Sequence, residues 1–231
     1  MKSRCLIVKS IPAWLFVVGS MVPSGWAEEK PTDAGLGAKP DTTATVLFNG
    51  TSMDGWVDRA GKPASWPITN GFFTVGKGDI LTSKTFGNFQ LHVEFNIPYM
   101  PKARGQGRGN SGIYLGGLYE LQVLDSYGLK LQSNDCGAIY QQIIPAVNVC
   151  KPPLQWQYYD VTFHKPVVSD GKVVKKARVT VIHNGVKTID DKEINPTPGG
   201  VGVKLGEDGP ILLQDHGNAV EYRNLWIKPI E

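Results

Sequence analysis

The sequence predicts an all-β fold, an antiparallel two-sheet β-sandwich, on three observations. Runs of alternating apolar and polar side chains recur along the 231 residues, and turn-forming residues punctuate them, with 27 Gly and 16 Pro. No window of helical length carries a 3.6-residue apolar period. Residues 89–97 (Phe-Gln-Leu-His-Val-Glu-Phe-Asn-Ile) alternate without a fault. In residues 119–123, Tyr119, Leu121 and Val123 fall on one side and Glu120 and Gln122 on the other. Residues 156–163 form the next strand. Residues 177–183 lead into Asn184-Gly185-Val186, which reads as strand, tight hairpin turn, strand. Residues 221–227 close the set. Such a series of short strands is the pattern of a sandwich.

The start of the chain reads as a secretory signal. Lys2, Arg4 and Lys9 form a basic stretch, residues 11–22 an apolar one, and Gly25-Trp26-Ala27 a small-residue exit, so residues 1–27 are expected to be cleaved after Ala27. Pro12 and Pro23 break the apolar stretch, which is too short for a stable membrane span. Export to the periplasm or the extracellular space follows. Residues 28–43, rich in Pro, Gly, Thr, Lys and Asp, are expected to be a disordered tether, and residues 44–231 a single domain. Losing Lys2, Arg4 and Lys9 brings the 24 basic residues down to 21, equal to the 21 acidic ones. A neutral chain without a basic stripe argues against nucleic acid as a partner. Cys136 and Cys150 remain; an oxidising compartment makes a disulfide one reading and two buried thiols the other.

Residues 109–128 concentrate the polar groups that could do chemistry. Glu120 is a mid-strand carboxylate on the polar side, with Gln122 beside it and Asp125, Ser126 and Tyr127 just beyond. A buried carboxylate must be solvated or hydrogen-bonded, so that side is expected to face a groove. Asn110 and Ser111 end a Gly-rich loop at its rim and could bind hydroxyls. That loop lacks the Lys-Ser/Thr ending and the following helix of a phosphate-binding loop. His216, after Gln214 and Asp215, could exchange protons near neutrality. Arg223 and Asn224 lie on the last strand, where Arg223 could stabilise an oxyanion or pair with a carboxylate. His92 and Glu94 share a strand face with Gln90 and Asn96; with no third ligand at metal spacing, this reads as a solvated polar face. No Gly-x-Ser-x-Gly elbow, His-Glu-x-x-His helix or dinucleotide fingerprint is present, which disfavours serine hydrolase, zinc protease and Rossmann oxidoreductase chemistry.

Several of these segments together resemble the 3-keto-disaccharide hydrolase domain family. They run from Leu47-Phe48-Asn49-Gly50-Thr51-Ser52-Met53-Asp54-Gly55-Trp56 through Asn70-Gly71-Phe72-Phe73-Thr74-Val75 and residues 109–128 to Asp135-Cys136-Gly137-Ala138-Ile139-Tyr140. Lys151-Pro152-Pro153 with Trp156, and Gly209-Pro210-Ile211-Leu212-Leu213-Gln214-Asp215-His216-Gly217 before Tyr222-Arg223-Asn224, complete the order, so the likeness covers residues 46–229. The resemblance implies a concanavalin-like jelly roll whose curved sheet binds glycans. It also implies a glycoside or oligosaccharide substrate whose 3-hydroxyl an upstream sugar 3-dehydrogenase has oxidised to a ketone. The ketone acidifies C2–H, a base removes that proton, the aglycone leaves C1, and water then adds. On this reading Glu120 or His216 is the base, and the other or Asp125 the acid. Arg223 or a divalent cation stabilises the enolate, and Asn110, Ser111, Gln122, Ser126, Tyr127, Gln214 and Asn224 hold the sugar. A direct two-carboxylate glycosidase and a non-catalytic carbohydrate-binding module are the alternatives.

Overall fold

The computed structural model describes residues 30–231. Fifteen strands follow one another: β1 (Thr45–Phe48), β2 (Trp56–Asp58), β3 (Ile68–Thr69), β4 (Phe72–Thr74), β5 (Ile80–Thr82), β6 (Phe89–Asn96), β7 (Ser111–Leu115), β8 (Tyr119–Val123), β9 (Gln157–His164), β10 (Val167–Ser169), β11 (Lys172–Lys175), β12 (Ala177–His183), β13 (Val186–Ile194), β14 (Leu212–Leu213) and β15 (Glu221–Pro229). The helical content among the described residues is one 3-10 turn, Gly105–Gly107. All strand pairs are antiparallel. The large sheet runs β13-β12-β9-β6-β15-β4-β3, with β1 on β15 as well, and the small sheet runs β2-β5-β14-β7-β8. The chain is thus the antiparallel two-sheet sandwich that its alternation predicts, of the jelly-roll type that the resemblance implies. The segment read as a signal peptide lies outside the described residues.

Alternation places the core. Leu91, Val93 and Phe95 of β6 and Val161 and Phe163 of β9 face Ile113 and Leu115 of β7 and Leu121 and Val123 of β8 across the sandwich. Phe73 packs edge-on against Phe48, with ring centroids 4.7 Å apart, and lies 5.8 Å from both Trp66 and Tyr222. Each fully buried ring of this kind contributes on the order of 2–3 kcal/mol. Two hairpins fix the register. Asn184 and Gly185 take positive φ between β12 and β13, and Gly116 and Gly117 do so between β7 and β8, where Leu118 N–H donates to the Leu115 carbonyl. That turn sets Tyr114 opposite Glu120 and Gly112 opposite Gln122.

Two expectations need correcting. Residues 32–41 do not form a free tether but lie across the outer face of the large sheet. Thr32 N–H donates to the Asn184 carbonyl, Gly37 N–H donates to Glu94, the Ala38 carbonyl accepts from Asn224 and Trp226, and Asp33 pairs with Lys151. Composition hid this because the contacts are made by backbone groups and an ion pair rather than by apolar side chains. For the same reason His92 and Glu94 are not a solvated face; both are fully buried beneath that segment. Cys136 and Cys150 are buried free thiols, with Cys136 Sγ 3.1 Å from the Tyr159 hydroxyl.

Candidate active site

The polar side of β7 and β8 is the floor of a cleft of ≈ 200 Å³ on the outer face of the small sheet. Glu120 and Gln122 rise from β8, Tyr114 from β7, and Gln214 follows β14. Two segments wall it. Residues 137–140 run beside β8 almost as an added strand, with Gln122 N–H donating to Ala138, Gly137 N–H to Gln122, and Tyr140 N–H to Glu120. Residues 197–199 form the other wall. The Thr197 hydroxyl accepts from Glu120 N–H, and the Arg59 guanidinium, ion-paired to Asp79, holds the Gly199 and Gly200 carbonyls.

Glu120 is 3% exposed, and its carboxyl has one side-chain partner: Tyr114 Oη, 3.0 Å from Oε2. Burial pushes the carboxyl up to about 7; the Tyr114 hydrogen bond opposes this and the charge of Asp79 adds to it. The hydroxyl network agrees. Tyr114 Oη also lies 2.9 Å from the Pro198 carbonyl and receives Gln214 Nε2–H at 3.4 Å. A hydroxyl has one proton, so it cannot donate to both Glu120 and Pro198. With Glu120 protonated the conflict disappears: the acid donates to Tyr114, and Tyr114 donates to Pro198. Gly112 makes room for this acid, since a Cβ there would stand 2.5 Å from Glu120 Oε1.

The structure gathers Glu120, His216, Asn110, Gln122 and Gln214 around this cleft. Tyr114, Tyr140 and Gln106, which the sequence reading did not assign to the site, join them. A signal for Tyr114 existed: the Gly116-Gly117 turn pairs it with Glu120. His216 is exposed at the rim, and the neighbouring Asp215 caps a turn instead, accepting from Gly78 N–H and Gly217 N–H.

The other candidates lie elsewhere. Asp125 is ion-paired with Arg108 at 2.8 Å, below the loop rather than in the cleft, so it does not join the acid–base set. Ser111 points into the sandwich, bonded to the Tyr222 hydroxyl and the Gln214 carbonyl, because odd positions of β7 face the core. Ser126 is buried against Asp135 and Cys136 N–H, and Tyr127 is 53% exposed away from the cleft. Arg223 and Asn224 sit on the large sheet, bound to Glu94, with the guanidinium 4.0 Å above the Trp156 ring. Arg223 is therefore an ion-pair partner and does not stabilise an enolate in this cleft. Among the described residues no group of three or more His, Cys, Asp or Glu is placed to share a metal ion. The cation expectation thus finds no ligand set here.

Among the described residues no helix is long and apolar enough to cross a membrane. A family model described as a 3-keto-alpha-glucoside-1,2-lyase-like domain matches residues 43–228. A crystal structure from Parabacteroides distasonis, described as a candidate glycosyl hydrolase, is 38% identical, covers 82% of this chain and 84% of its own, and superposes with a TM-score of 0.76. A second candidate glycosyl hydrolase from that organism, 23% identical over 82% of this chain and 94% of its own, has a TM-score of 0.60 and shares the fold. No curated protein matches the chain. With the match spanning nearly the whole described domain, the chain belongs to the carbohydrate-active 3-keto-alpha-glucoside-1,2-lyase-like family.

Proposed function

We propose that this chain is an exported enzyme that cleaves 3-keto glycosides by elimination across C1–C2 followed by hydration, with Glu120 as the base. The observation that carries this reading is the Glu120 carboxyl, buried at the cleft floor and raised to about 7. A carboxylate with that affinity for a proton is a far better base than an exposed one, and it still titrates near neutrality. In the first step Glu120 takes the proton from C2, and the electron pair of that bond becomes the enolate of the C3 ketone. The enolate collapses to a C1–C2 double bond as the C1–O bond breaks, and the aglycone oxygen takes a proton from the His216 imidazolium. Water then adds at C1, giving a proton back to His216, while Glu120 returns its proton to C2. The sum is hydrolysis to a 3-keto sugar and an alcohol. Protonation of Glu120 is favoured by the Tyr114–Pro198 chain, which is fully hydrogen-bonded only when the acid is neutral. A sugar 3-dehydrogenase acting earlier would supply the ketone.

The test is to incubate the chain lacking residues 1–27 with 4-nitrophenyl 3-keto-α-glucoside and, separately, its unoxidised parent, following nitrophenol. Release from the ketone alone is the expected result. Release from the parent at a similar rate would favour a direct glycosidase, and release from neither would leave a sugar-binding module as the better description.

A further inference from the structure

Amide side chains can usually be turned to present either their oxygen or their nitrogen, but the cleft fixes the orientation of one of them. Gln106 Nε2–H donates to the Asn134 carbonyl at 2.8 Å, so Gln106 Oε1 must face inward. Asn110 Nδ2–H donates to the Gln106 carbonyl at 2.7 Å, so Asn110 Oδ1 must face inward as well. Both backbone carbonyls are acceptors that cannot be reversed. Gln122 meets the two inward oxygens, Gln106 Oε1 at 3.1 Å and Asn110 Oδ1 at 3.2 Å, and has to present its N–H₂ to them. Its own oxygen is left over: Gln122 Oε1 is buried, on a residue 1% exposed that lines the cleft, and has no hydrogen-bond partner among the described residues. Gln214 repeats the pattern, with Nε2 turned to Tyr114 and a buried Oε1 unpartnered.

We infer that Gln122 determines specificity in the cleft: its side-chain carbonyl, held in one orientation by Gln106 and Asn110, accepts a hydrogen bond from a sugar hydroxyl and refuses any group that only accepts. The inference rests on the reading of the cleft as a sugar site and adds to it a direction for one contact. A ketone oxygen set against Gln122 Oε1 would leave two buried acceptors facing each other. The oxidised carbon must therefore lie away from Gln122, and the sugar must keep a free hydroxyl beside it. Gln106 does not need to touch the ligand for this; it is a positioning residue.

The experiment is calorimetric titration of the chain lacking residues 1–27 and carrying Glu120→Gln, so that ligands bind without being cleaved, with methyl 3-keto-α-glucoside and its 2-, 4- and 6-deoxy and deoxyfluoro derivatives; the further substitutions are made in that background. Fluorine keeps a weak acceptor where the hydroxyl stood but removes the donor. At one ring position the deoxy and deoxyfluoro sugars should lose affinity equally, by about 10- to 100-fold. In Gln122→Met the three sugars of that position should bind within about threefold of one another. In a double variant carrying Gln106→Met and Asn110→Leu, where neither inward oxygen remains and the Gln122 amide can turn, the fluorinated sugar should recover relative to the deoxy sugar, an outcome that simple loosening of the loop would not produce. Should every fluorinated sugar bind the Glu120→Gln chain as well as its hydroxyl parent, or no position discriminate at all, the assignment of Gln122 is overturned while the sugar site stands. If none of the sugars binds, the sugar reading of the cleft falls and this inference with it.

Discussion

Among the described residues stand two buried mid-strand glutamates, one on the outer face of each sheet, and their proton affinities are shifted in opposite directions. Glu94 on β6 and Glu120 on β8 are both almost inaccessible to solvent. Burial would raise each of them. At Glu94 it is outweighed by His92, Asn224, the Gly37 N–H and Arg223, which together hold the carboxyl down at about 2. At Glu120 a tyrosine hydroxyl is the opposing partner, and the carboxyl stands at about 7. The burial is the same and the donors are not. A carboxylate enclosed by three donors and a histidine 3.5 Å away is spent on structure, whereas one left short of donors keeps an appetite for protons and can move them.

Substitution should break the symmetry between the two acids most sharply. Glu120→Gln should lower kcat/KM on a 3-keto glucoside by about 10²- to 10⁴-fold, while Glu94→Gln should leave kcat within about twofold. Equal losses in steady-state assays would erase the distinction. Next in size is the ion pair itself. Arg223→Ala leaves a buried carboxylate short of its cationic partner and, since that partner is itself partly exposed and two other donors remain, should destabilise the fold by roughly 1.5–3 kcal/mol in urea unfolding at neutral pH. The penalty should shrink at acid pH, where Glu94 can be protonated.

The pH dependence of stability should carry opposite signs at the two sites. Glu120 is raised from 4.5, so its contribution is complete below pH 4.5 and is lost as pH rises through about 7. Glu94 is lowered from 4.5, so its contribution is complete above pH 4.5 and is lost as pH falls toward about 2. Each amounts to roughly 3 kcal/mol over its window. Melting curves of the unaltered chain minus those of Glu120→Gln should slope downward between pH 4.5 and 7, and those minus Glu94→Gln upward between pH 2 and 4.5. The smallest effect belongs to the segment over the large sheet. Removing residues 30–38 deletes the Gly37 donor to Glu94, the Ala38 acceptor of Asn224 and Trp226 and the Thr32 and Asp33 contacts, but it lets water reach the uncovered groups, so it should cost about 1–2 kcal/mol, with kcat unchanged. A change in kcat of more than about threefold would mean that the two faces are coupled.

The two regions also differ in how far the sequence discloses them. Strands such as Ala177–His183 and the division of Tyr119–Val123 into an apolar and a polar side follow directly from alternation, because a sheet face is a local, period-two property. Glu120 and Gln122 could be placed in a groove on that basis. Nothing local shows that residues 32–41 cover His92 and Glu94, since the covering groups are backbone amides and carbonyls that every residue possesses. Arg223 stays between two roles in the sequence for a related reason. Its chemistry suits an oxyanion as well as it suits Glu94, and only the pairing of β15 with β6 decides between them. Tyr114 was ambiguous by type, an aromatic that fits a core and a hydroxyl that fits a site, until its partner across the hairpin was known.

One feature of β15 changes how that strand must be read. Between Arg223, which pairs with Glu94, and Trp226, which pairs with His92, two residues stand opposite one, and Asn224 takes a φ of 48°. Neighbouring residues Arg223 and Asn224 can therefore both address the same carboxylate, which a regular strand forbids. The extra residue also inverts odd–even parity along the strand. Even-numbered Tyr222 is in the core before the slip, and odd-numbered Leu225 and Ile227 are in the core after it. Even-numbered Trp226 is thereby delivered to the outer face, stacked 5.1 Å from His92. Had parity been carried unbroken from Tyr222, the indole would have been assigned to the core and His92 would have lost its stacking partner.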